Sequence, residues 1–123
     1  KKTDDGLMVT LKSDVLFDTN KTDLQEAAKN NLNELAAILK KYPGDKLRIT
    51  GFTDKVGTTE HNLTLSKQRA EVVKSQLSAA GVTGERMRAI GMGESRAGGT
   101  EKEPRPQDRK VEIYIDVEPP KNS

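Results

Sequence analysis

The stretch from Gly51 to Ala70, GFTDKVGTTEHNLTLSKQRA, joins the end of an alternating strand to the first part of an amphipathic helix. Between them lie an acid, Asp54, a glycine, Gly57, and a base, Arg69. Asp54 and Arg69 stand fifteen positions apart, too far to be neighbours on one helix, so only a chain reversal brings them onto one surface. Gly57 permits the positive φ that a sharp reversal needs, and Asn62 is of the residue type that caps a following helix. An acid and a base held together at a strand end suit a ligand that carries both an ammonium and a carboxylate. The same two charges also satisfy each other if they pair across the turn, and the residues alone leave both arrangements open.

Upstream of this stretch, Leu7, Val9 and Leu11 alternate with Met8, Thr10 and Lys12, the period-two pattern of a half-buried strand. An irregular piece from Val15 to Asn20 leads to a helix whose start is marked by Thr22 and Gln25, spaced as a capping box. Leu24, Ala28, Leu32, Leu35, Ala36, Leu39 and Tyr42 repeat at helical spacing, and Pro43-Gly44 ends the run. A second strand follows from Lys46 to Thr50. Downstream, a second helix is expected from about Asn62 to Ala80, with Leu65, Ala70, Val73 and Leu77 on its apolar face and Gly81 at its C′ position. Met87 to Ile90 reads as a third strand. A polar loop from Glu94 to Gln107 then leads to the clearest strand, in which Val111, Ile113, Ile115 and Val117 alternate with polar residues before Pro119-Pro120. The order predicts an α/β sandwich, βαβαβ-β, with right-handed crossovers that put two helices on one face of a mixed sheet.

At 123 residues the chain closes one hydrophobic core. The expected division is a linker over residues 1–6, a domain over 7–118 and a tail over 119–123. One third of the residues are charged and one third hydrophobic, a polar globular composition without an apolar run that spans a bilayer. The first residues lack a signal-peptide pattern, so an export signal or anchor is expected outside this segment. The 21 basic and 19 acidic residues nearly balance at +2, and with no Trp, two Phe and two Tyr there is neither a field nor a stacking surface for nucleic acid. The absence of cysteine and the single His61 argue against thiolate or zinc chemistry and a Ser-His couple, so no cofactor, metal or catalysis is expected. Thr53, Lys55 and Thr58–Glu60 read as turn residues near a helix start, His61 as a surface residue, and Asp108, Arg109 and Lys110 as a solvated strand entrance.

Asp54 with Gly57, Asn62-x-x-Leu65-Ser66-x-x-Arg69-Ala70, Gly81-Val82, Gly91-x-Gly93-Glu94-Ser95 and Arg109-Lys110-Val111-Glu112-Ile113 together resemble the OmpA-like domain. Phe17-Asp18 also fits that pattern, so the resemblance covers nearly the whole chain. It implies a peptidoglycan-binding module that holds the stem peptide without cleaving it. It also implies a place in the periplasm of a Gram-negative bacterium, within a protein anchored outside this fragment, with envelope proteins as further partners. On the family's pattern the acid after Thr53, Asp54, and the arginine before Ala70, Arg69, hold the amino and carboxyl groups of meso-diaminopimelate. Asn62 and Arg109 fall on the family's asparagine and strand-opening arginine, and with Thr53 of the Thr-Asp pair they are the further ligand-binding residues the resemblance implies. Two departures stand out: Phe52 replaces a usual histidine, where a packing change is expected, and Asp108 replaces a usual asparagine. That new acid is expected to weaken carboxylate binding, and with the altered loop from Arg96 to Glu103 it motivates a second reading, an interaction module that has lost wall binding. A wall hydrolase, the third reading, lacks a nucleophile or zinc set.

Overall fold

The computed structural model describes residues 6–18 and 21–116. Of the linker expected over residues 1–6, residues 1–5 lie outside them and Gly6 begins the first strand; the expectations for Thr19 and Asn20, for the strand end at Val117 and for Pro119-Pro120 and the tail also lie outside them. Among the described residues the elements are β1 (Gly6–Lys12), α1 (Ser13–Leu16), α2 (Glu26–Leu39), β2 (Lys46–Phe52), α3 (Thr59–Ala79), β3 (Met87–Gly93) and β4 (Lys110–Asp116). The four strands form one mixed sheet in the order β1-β4-β2-β3, with β4 antiparallel to both β1 and β2, and β2 parallel to β3.

The register explains which face is covered. Val9, Ile113 and Ile49 stand side by side across three strands, as do Leu11, Val111 and Gly51, so the alternation seen in each strand becomes one apolar face. Ala28, Leu32, Ala36 and Leu39 of α2 and Ala70, Val73 and Leu77 of α3 share a core with that face, and Ile49 and Ile113 have no exposed surface. Burying each of the leucine, valine and isoleucine side chains stabilises the fold by about 1.5–3 kcal/mol. α3 also approaches the sheet closely at its glycines, since a Cβ on Gly91 would come within 2.7 Å of the Lys67 backbone nitrogen.

The element boundaries differ from expectation where side chains find other partners. Gln25, not Thr22, is the N-cap of α2 and makes no capping bond. Leu24 bridges to Phe17, and the Gln25 amide donates to Asp18 Oδ1 at 3.2 Å, so this segment folds back on α1 and the helix starts only at Glu26. The same helix ends at Leu39, and Tyr42 is exposed, its carbonyl accepting from Arg86 Nη2 at 2.8 Å. β2 and β3 run on to Phe52 and Gly93, past a register shift between Gly51 and Phe52. Asn62 is not the cap of α3: Thr58 is, its Oγ1 accepting from the His61 N–H at 3.0 Å. Gly81 has φ +108°, as a C′ glycine does.

Candidate functional site

The strand end of β2 and the first turns of α3 build one wall of a pocket of about 320 Å³. Thr53 extends the β2–β3 pairing by donating its N–H to the Gly93 carbonyl at 2.8 Å, and its hydroxyl donates to the Asp54 carbonyl at 2.8 Å. Asp54 then turns the chain, with Oδ1 accepting the Val56 N–H at 3.1 Å, and Gly57 follows at φ +92°. Asn62, within the first turn of α3, ties the loop from behind: its Nδ2 donates to the Asp54 carbonyl at 3.2 Å, the Val56 carbonyl at 3.0 Å and Glu94 Oε1 at 3.0 Å. Thr53, Asp54, Asn62 and Arg69 are all buried. Thus Asn62 supports the turn that presents Asp54, and Thr53 locks its backbone.

Asp54 and Arg69 line the same pocket, but neither is the other's ion-pair partner among the described residues. Asp54 Oδ2 faces Arg109 Nη1 at 3.5 Å and accepts the Arg105 N–H at 3.1 Å. Arg69 donates Nε to the Lys21 carbonyl at 3.1 Å and Nη2 to the Asp18 carbonyl at 3.5 Å, and its guanidinium lies 4.9 Å from the Phe17 ring centroid. Burial lowers the Arg69 pKa below its ordinary value, the positive charge of Arg109 lowers it further, and Asp14 opposes both. Two guanidiniums therefore share one recess. Arg109 bridges Asp54 to Asp14, whose Oδ2 is 3.9 Å from Nη2, while its Nε is buried with no hydrogen-bond partner.

All five expected site residues meet in this region: Asp54, Asn62, Arg69, Arg109 and Thr53 line one pocket. Further contributors had weaker signals. Asp14 sits on the four-residue α1, too short to declare itself by periodicity. Phe17 was legible only through the Phe17-Asp18 pair that fits the family pattern, without a place in the site, and Arg105 contributes a backbone N–H, which no residue type betrays. Pro104 also lines the pocket, so the polar loop from Glu94 to Gln107 reaches the site through a residue just past the altered stretch Arg96 to Glu103. Asp108, the new acid expected beside the site, stands next to Arg109 but does not line the pocket: its carboxylate accepts from Arg105 Nε at 2.7 Å and the Gly98 N–H at 3.1 Å. Phe52 is buried beneath Arg96 and Lys110, at 5.2 and 5.5 Å from its ring centroid, a packing role outside the pocket.

Comparison with known proteins agrees with this architecture. The chain is 34% identical over 113 residues to the probable lipoprotein YiaD of Escherichia coli, covering 90% of this chain and 52% of that protein. It spans about half the length, or less, of the curated relatives it matches. The crystal structure of the peptidoglycan-associated lipoprotein from Burkholderia pseudomallei superposes with a TM-score of 0.73 at 30% identity, covering 86% of this chain and 88% of that one. The cell wall anchor of the T6SS from Pseudomonas aeruginosa superposes with a TM-score of 0.83 at 26% identity, covering 96% and 86%. Residues 16–111, from the end of α1 into β4, match the profile of the OmpA family, and the chain belongs to that family.

Proposed function

We propose that this domain binds peptidoglycan without cleaving it, by clamping the diaminopimelate residue of the stem peptide, and so anchors a larger envelope protein to the wall. The observation that carries this reading is the presence of two guanidiniums, Arg69 and Arg109, and the buried carboxylate of Asp54 in one small recess. A carboxylate entering between the arginines answers their mutual repulsion, and an ammonium is taken by Asp54, each charge-assisted bond contributing about 1.5–3 kcal/mol. A pocket of about 320 Å³ suits the zwitterionic end of one side chain, not a glycan strand. Membership of the OmpA family and similarity to a peptidoglycan-associated lipoprotein and a cell wall anchor support the same ligand class. The setting that goes with it is the periplasm of a Gram-negative bacterium, in a membrane-anchored protein. The competing reading, an interaction module that has lost wall binding, drew on Asp108 as an intrusive acid, and Asp108 faces Arg105 instead.

Sedimentation with purified wall sacculi tests this reading. The domain is expected to pellet with diaminopimelate-type sacculi and to release no soluble muropeptides from them. A folded domain that stays in the supernatant would overturn wall binding.

A further inference from the structure

The connection from β3 to β4 touches the site through its backbone. Arg105 donates its N–H to Asp54 Oδ2 at 3.1 Å, and Pro104 before it forms part of the pocket wall. The Arg105 guanidinium is held elsewhere: Nε donates to Asp108 Oδ2 at 2.7 Å, and the same oxygen accepts the Gly98 N–H at 3.1 Å. The short 3-10 turn Pro106–Asp108 closes the ring, with the Asp108 N–H donating to the Arg105 carbonyl at 2.9 Å. Two glycines make room for the arginine. A Cβ on Gly98 would lie 3.1 Å from Arg105 Nη2, and one on Gly99, at φ +74°, would lie 2.6 Å from Arg105 Cδ. One carboxylate oxygen thus fixes both ends of the loop segment that reaches Asp54. The hydrogen bond from Arg105 holds the Asp108 pKa below its ordinary value; burial opposes this and the Gly98 N–H assists it.

We propose that Asp108 is a positioning residue of the ligand site: its clasp on Arg105 and Gly98 holds the Arg105 N–H on Asp54 and Pro104 in the pocket wall before ligand arrives. The inference rests on the binding function proposed above. Asp54 has one oxygen anchored by the Val56 N–H and the other by the Arg105 N–H, so its carboxylate cannot rotate while both persist. The remaining lone pairs then face Arg109 and an incoming ammonium in a fixed direction, which lowers the ordering cost of binding. The acid that replaces the family's usual asparagine therefore acts on the site through the loop and strengthens binding, contrary to the effect its charge alone suggests.

The test combines amide hydrogen exchange by NMR with calorimetric titration of a soluble diaminopimelate-containing stem peptide, for Asp108→Ala, Asp108→Asn, Arg105→Ala and the double alanine variant. In Asp108→Ala the Arg105 amide is expected to exchange about tenfold faster or more, while Ile49 and Ile113 keep their protection. Affinity for the peptide falls about three- to tenfold. Asp108→Asn, which retains an acceptor for Gly98 but loses the charged bond, lies between. Arg105→Ala matches Asp108→Ala, and the double variant loses no more than either single one, because both break one clasp. An Arg105 amide that stays protected in Asp108→Ala would overturn the proposal, as would a labile amide with unchanged affinity. A wild-type domain that binds no stem peptide would instead overturn the binding function, and the Arg105 exchange rate then decides the clasp alone.

Discussion

Arg69 carries two roles that its charge alone does not separate. Its guanidinium holds the Lys21 and Asp18 carbonyls and covers Phe17, so it pins the segment after α1 as well as lining the pocket. Arg69→Ala is therefore expected to weaken peptide binding about tenfold and also to lower stability by about 1–3 kcal/mol, in contrast to a side chain that only contacts ligand. Urea denaturation beside peptide titration separates the two losses, and an Arg69→Ala variant of unchanged stability would contradict the structural half. Asp108 gives a pH-dependent signature. Because its folded-state pKa is depressed, its stabilisation is complete above the unfolded carboxylate pKa and is lost as pH falls through the folded value. Thermal melts from pH 7 downward should then show the stability gap between the wild type and Asp108→Asn closing as the pH drops below about 4. A gap that stays constant would mean the Asp108 charge contributes nothing. Asp54 and Arg69 were legible because an acid and a base flank a glycine reversal between a strand and a helix. Their separate partners were not, since Arg109 reaches Asp54 only through the pairing of β4 with β2.

β1 and β4 announced themselves because each buries one face and the chemistry alternates accordingly, and α3 because its apolar positions and terminal glycine agree. The errors fell where a side chain had two available partners. Thr22 and Gln25 have capping-box spacing, but the Phe17–Leu24 bridge and the Gln25 bond to Asp18 draw the segment toward α1. Asn62 has cap chemistry, but Thr58 starts the helix earlier and Asn62 turns inward to the loop. The close seating of α3 on β2 and β3 was hidden because a glycine reads equally well as a turn or as a point of contact. A Cβ on Gly51 would clash with the Ser66 carbonyl, which belongs to the helix backbone and cannot swing aside. Gly51→Ala is thus expected to destabilise the fold by about 1–3 kcal/mol or more through displacement of α3, and to weaken ligand binding because Arg69 rides on that helix. Chemical denaturation reads the first effect, and wild-type stability in this variant would contradict the packing.

The sheet order is what brings the site together, and it could not be derived from local pattern. β4, last of the described strands in sequence, lies between β1 and β2, so Arg109 at its entrance arrives beside the end of β2 and next to α1. Three separate parts of the chain thereby converge on one recess: the α1 region, the β2–α3 turn and the β3–β4 connection. That convergence places two cationic groups and a buried carboxylate in one recess, and under the proposed function a ligand with only one of the two charges engages Asp54 or the arginine pair but not both. Calorimetric titration of the domain with a soluble diaminopimelate stem peptide and with its lysine counterpart, which lacks the second carboxylate, tests this most directly. Binding of the first at least about tenfold tighter than the second, lost in a folded Asp54→Asn variant, is the predicted result. Equal affinity for both peptides, or binding that survives Asp54→Asn unchanged, would contradict the clamp.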